Sequence, residues 1–111
     1  MRKVTSDIAN AFIAGKAKKC GNTETDGETV YLHGNVIAQK TQAGLMLTLA
    51  YWPTTTTRER LNGILSTLGR SERFAQRKGE QVLCEANGEH KIDDNQELFF
   101  RDIPSCTVAL T

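Results

Sequence analysis

Residues Leu45–Leu65 read LMLTLAYWPTTTTRERLNGIL, and the spacing of their apolar residues changes partway along. Leu45, Leu47 and Leu49 alternate with Met46 and Thr48, the two-residue repeat of a half-buried strand. Pro53 ends regular strand pairing. Beyond it Leu61, Ile64, Leu65 and Leu68 recur at helical spacing. Thr56 and Glu59 have the Thr-x-x-Glu separation of a capping box, and Gly69 offers a C-terminal stop. A strand thus passes into a helix through a threonine-rich entrance. Arg58 and Arg60 fall outside the apolar stripe of that helix, which leaves both guanidinium heads free for solvent or a partner.

Upstream, Ile8, Ala9, Phe12 and Ile13 form the stripe of a first helix, capped by Thr5 or Ser6 and stopped at Gly15. The polar, glycine-interrupted run KAKKCGNTETDGET reads as a loop. TVYLHGNVIAQK then reads as two strands around a His33–Gly34–Asn35 turn. Downstream, a hairpin is predicted with Lys78–Gly79 at its turn and Phe74 and Val82 as apolar anchors, followed by a second turn at Asn87–Gly88. KIDDNQ is a polar connection, QELFFR a further strand, and SCTVALT an edge strand or tail. The expected fold is one small α+β domain over residues 1–111. Its antiparallel β-meander packs with two helices in the order α-β-β-β-α-β-β, with extra C-terminal β structure.

The bulk composition agrees with a single modest core: 111 residues, 39% hydrophobic and 24% charged. No apolar run is long enough for a membrane span. The N-terminal MRKVTSDIAN is broken by Asp7 and Asn10 and lacks the form of a signal peptide. Cys20, Cys84 and Cys106 form an odd, widely spaced set without a C-x-x-C pair, as expected of free thiols in a reducing, cytoplasmic compartment. The net charge of +1 conceals a division into two basic regions and an acidic C-terminal third.

Those basic regions are the first candidates for function. Lys16, Lys18 and Lys19 stand in one, and Arg58, Arg60, Arg73, Arg77 and Lys78 in the other. They suit phosphate contacts to DNA or RNA if folding gathers them on one face. Tyr51 and Trp52 offer rings for stacking on an unpaired base, or for anchoring a protein interface. His33 is either a ligand or base, or a hydrogen-bonded turn residue. The histidines and cysteines show no local metal-ligand spacing, and GNTETDG lacks the Gly-Lys-Ser/Thr end of a phosphate loop, so neither metal nor cofactor is expected. No nucleophile–base pair is legible, so an enzyme is not expected.

Two portions, FIAGKAKKCGNTETDG…YLHGNVIA and YWPTTTTRERLNGIL, resemble a family of small proteins encoded by bacteriophages and integrated mobile elements. The resemblance spans residues 10–80. It rests on Gly15–Lys16, Asn22–Thr23, Leu32–His33–Gly34–Asn35, Trp52–Pro53 and Thr57–Arg58. The segment from Gln81 onward lies outside it and is open to being particular to this chain. The resemblance carries no catalytic residue. It implies a phage or prophage accessory protein in the host cytoplasm that handles nucleic acid. The alternative is an inhibitor or adaptor of a host protein, such as a defence component. A homodimer through an edge strand remains open.

Overall fold

Among the described residues every strand pairing is antiparallel, and the strands form a sheet of six and a sheet of three. A computed structural model describes residues 2–101. The elements are α1 (Lys3–Ala14), β1 (Lys18–Cys20), β2 (Thr23–Thr25), β3 (Thr29–Leu32), β4 (Asn35–Thr41), β5 (Gly44–Leu47), α2 (Thr55–Thr67), β6 (Arg73–Arg77), β7 (Glu80–Glu85), β8 (Gly88–Lys91) and β9 (Leu98–Arg101). The larger sheet has the order β1-β2-β3-β4-β5-β9, and the smaller one β6-β7-β8. The α+β meander with two helices is as the sequence predicts. The segment expected to be a loop, however, contains β1 and β2. The SCTVALT segment lies outside the described residues.

Both helices end as their glycines predict. Gly15 (φ 76°) donates to the Phe12 carbonyl and Lys16 to that of Ala11, while Gly69 (φ 77°) donates to Ser66 and Arg70 to Leu65. These are paired Schellman closures, in which a left-handed residue lets two N–H groups reach back to otherwise unsatisfied carbonyls. The helix starts differ from expectation. α1 begins after Arg2 with no side-chain cap, and α2 begins after Thr54, whose hydroxyl accepts from the Thr57 N–H. Thr5 and Glu59 are instead engaged with each other across the helix pair.

The core lies between the helices and the larger sheet. Ile8, Ala9 and Phe12 of α1 and Leu61, Ile64 and Leu65 of α2 pack over Val30, Leu32, Ala38, Leu45, Leu47 and Phe100. At 20–33 cal/mol per Å² of apolar surface, burial of each such side chain contributes roughly 1.5–3 kcal/mol. A bulge between Val30 and Tyr31 inserts Ile37, so Ile37 and Ala38 are both buried. A regular strand with one solvated face would turn one of them outward. The smaller sheet adds Phe74 and Leu83 to the same core. It is tied to α2 by Asn62, whose amide accepts from the Phe74 N–H at 2.7 Å and donates to the Phe74 carbonyl at 3.0 Å. No helix among the described residues is long and apolar enough to cross a membrane.

Candidate ligand cleft

One end of the larger sheet collects three chain turns. β3 and β4 are joined through His33 (φ 51°) and Gly34 (φ 82°), the two positive-φ positions of a type I′ hairpin turn. Beside it the β1–β2 connection brings Asn22, whose carbonyl accepts from the His33 N–H at 2.8 Å. The chain leaving β5 makes the third turn, Leu49–Trp52, closed by a 2.8 Å bond from the Trp52 N–H to the Leu49 carbonyl. Its central residues, Ala50 (φ 52°) and Tyr51 (φ 65°), are both left-handed without being glycine. Such a conformation costs on the order of 1–3 kcal/mol per residue and needs support from its surroundings. Support comes from buried Leu49, from the Tyr51 N–H bond to the Asp94 carbonyl at 2.9 Å, and from Asn95, which donates to the Tyr51 hydroxyl at 2.9 Å.

The strained turn holds two aromatic rings away from the core. Tyr51 is 72% exposed and Trp52 55%. Trp52 forms one wall of a cleft of about 220 Å³, which Leu32, His33, Asn35 and Ile37 line from the sheet and Thr54, Thr56 and Thr57 from the start of α2. No Lys, Arg, Asp or Glu lines it. The Thr54 cap satisfies the Thr57 N–H, while the N–H groups of Thr55 and Thr56, in the first turn, have no intrahelical acceptor. The cleft therefore offers an aromatic face, an apolar floor and neutral hydrogen-bonding groups.

A polar network runs from the cleft into the core. Arg60, expected to be free for solvent or a partner, is only 5% exposed and engaged within the protein. Its Nε donates to Thr23 Oγ1 at 3.0 Å and its Nη1 to Thr5 Oγ1 at 2.7 Å, with Glu59 Oε1 also on Nη1. The Thr5 hydroxyl donates onward to Glu59. The Thr23 hydroxyl donates to Asn22 Oδ1 at 2.9 Å, and Asn22 Nδ2 stands 3.2 Å from His33 Nε2. Partial burial opposes the charge on Glu59, but the Thr5 hydroxyl, the Arg2 N–H and Arg60 outweigh it and hold the carboxyl below the usual glutamate range.

The other sequence-predicted residues are dispersed. Lys18 and Lys19 lie on β1, where alternation turns them to opposite faces of the sheet, and Lys16 precedes them after α1. Arg58 bridges to the Pro53 carbonyl at 2.9 Å and to Gln81 Oε1 at 2.8 Å. Arg73 donates to the carbonyls of Arg70 and Glu72, and Arg77 pairs with Glu89 at 3.0 Å. Lys78 sits at the β6–β7 hairpin tip. All four arginines thus have intramolecular partners, whereas Lys16, Lys18, Lys19 and Lys78 make no ion pair among the described residues. Tyr51 and Trp52, flagged as rings for stacking, flank the cleft. Its opposite wall, His33 and Asn35, belongs to a turn that the sequence reveals. Their meeting with Trp52 depends on strand register, which leaves no local signal.

Cys20 and Cys84 are free, Cys106 lies outside the described residues, and no group of three or more potential metal ligands occurs among the described residues. Compared with known families, residues 1–103 match the Kyanoviridae Gp96 protein. The chain belongs to this family. No curated protein and no solved structure matches it. The phage-associated Kyanoviridae Gp96 match runs through β9, so residues 81–103 are shared with the family rather than particular to this chain.

Proposed function

We propose that this protein is a non-enzymatic phage accessory protein that binds single-stranded nucleic acid, taking an unpaired base against Trp52. The observation that carries this reading is a half-exposed tryptophan, held by a strained turn on the rim of an uncharged cleft. Stacking on an aromatic side chain contributes about 1–3 kcal/mol per base and tolerates any sequence. Lys18 and Lys19 lie on β1, two strands from β3, and strands lie roughly 5 Å apart. A short single strand spans that distance, so whichever of these two lysines shares the cleft's face of the sheet can meet its phosphates. The engaged arginines are structural in this reading, and the binding face is smaller than the basic composition suggests.

Trp52 is the only tryptophan in the chain, so intrinsic fluorescence reports the cleft directly. Titration with short single-stranded oligonucleotides is expected to quench it. Trp52→Ala should weaken binding of a labelled strand about 5- to 150-fold, the equivalent of one stack. Lys18→Glu with Lys19→Glu should reduce the salt dependence, since each phosphate contact contributes roughly 0.7 to the logarithmic slope. Quenching that is absent at low salt would refute the reading.

A second reading, inhibition of or adaptation to a host protein, has its own support in Phe99. This β9 residue is 65% exposed beside Met46 on the outer sheet face. A stoichiometric protein partner that survives nuclease treatment and is lost in Phe99→Ser, but kept in Trp52→Ala, would favour it.

A further inference from the structure

We propose that His33 selects the occupant of the cleft by presenting a fixed Nδ1–H donor, and that the selected group is a keto pyrimidine, thymine or uracil. This choice rests on the single-strand reading above. Arginine has only donors, so Thr23 Oγ1 accepts from Arg60. Thr23 is fully buried, and Asn22 Oδ1 is the one acceptor for its hydroxyl hydrogen among the described residues. A buried hydroxyl hydrogen without an acceptor is strongly disfavoured, so the Asn22 amide oxygen faces Thr23 and its NH2 faces His33. With an NH2 group 3.2 Å away, His33 Nε2 must accept. The ring is then neutral and carries its hydrogen on Nδ1, the reverse of the tautomer that dominates for free imidazole side chains in water. Nδ1–H is the polar atom that remains for a ligand. Asn22, Thr23 and Arg60 are positioning residues and His33 determines specificity.

The size and chemistry of the cleft complete the assignment. At about 220 Å³ it is smaller than the roughly 300–1,000 Å³ of sites for drug-sized ligands, and suits a single ring. Leu32 and Ile37 supply apolar contact, and Trp52 supplies the stacking face. Both exocyclic groups of thymine or uracil are acceptors, whereas cytosine carries an N4 amino donor. Set against the C4 substituent of the ring, a fixed donor complements O4 of thymine or uracil and opposes the N4 amino group of cytosine.

Two measurements test this. Long-range 15N–1H NMR of the free protein, recorded where His33 is neutral, should show the Nδ1–H tautomer; the Nε2–H pattern would overturn the proposal. Quenching of Trp52 should then show oligo(dT) binding at least about fivefold tighter than oligo(dC). Asn22→Ala, a change at an exposed position, should level that difference by releasing the ring. Equal affinity for both strands, abolished by Trp52→Ala, would overturn the role of His33 while leaving the single-strand reading intact. No quenching by either strand would overturn both.

Discussion

Replacing Arg60 with methionine keeps most of the buried stem and removes the guanidinium. In the native protein that group is almost fully enclosed and donates to Thr23, Thr5 and Glu59. Removing one member of a buried ion pair costs about 3–5 kcal/mol, because the other member stays desolvated. The Glu59 side chain is 24% exposed and keeps the Thr5 hydroxyl and Arg2 N–H, which places the loss near the lower bound. The expected destabilisation is about 3 kcal/mol, a large share of the roughly 5–15 kcal/mol of a typical domain. In a chain of this size the midpoint of thermal unfolding should fall by about 12 °C or more. Urea unfolding at neutral pH gives the free energy directly. Adding Glu59→Gln to Arg60→Met removes the orphaned charge and should restore about 1 kcal/mol. A loss below about 1 kcal/mol in the single variant would mean that the guanidinium is hydrated, and would refute the description of α1, α2 and β2 as joined through it.

Three further outcomes follow from the geometry. A Cβ on Gly44 would lie 2.0 Å from the Phe100 carbonyl oxygen, so Gly44→Ala should break the β5–β9 pairing and cost more than about 2 kcal/mol by urea unfolding. Ala50→Gly relieves one left-handed residue and should raise stability by up to about 1 kcal/mol by thermal melting; a clear loss would show that the Ala50 methyl contributes more than its φ costs. Acid titration followed by circular dichroism tests the carboxylates. The Arg70 hydrogen bond is the main cause holding Glu72 below the usual glutamate range, and Glu59 is lowered as described. Their contribution is present above the unfolded value near pH 4 and lost as the pH falls through the lower folded values; Glu72→Gln should flatten that decline, and an unchanged profile would refute it.

The sequence makes legible those features whose physical cause is local. Gly15 and Gly69 end helices because the left-handed region is open to them, and Gly34 and Gly79 help close hairpins for the same reason. The misread features are those decided by distant partners. Thr56 and Glu59 have capping-box spacing, but Glu59 meets Thr5 from another helix, and Thr54 becomes the cap. Thr23 and Thr25 look like loop residues, yet pairing of β2 with β3 buries them as a strand face. Arg60 lies beside the apolar stripe of its own helix, where the hydroxyls of Thr5 and Thr23 offer it partners in the interior. The cleft belongs to this second class: each wall is recognisable as a turn, but their apposition is set by the β3–β4–β5 register.

The pairing of Leu45 with Phe100 has a consequence for the order of events during synthesis. Strands β1 to β5 follow one another closely and can zip as successive hairpins, whereas β9 arrives only after α2 and the entire smaller sheet have been made. Until then the Gly44–Leu47 strand, rich in leucine and methionine, displays an unpaired backbone edge to the surrounding cell. A ribosome stalled before Leu98 would therefore carry a nascent chain with an adhesive strand, and the late arrival of four residues removes that hazard by occupying the edge.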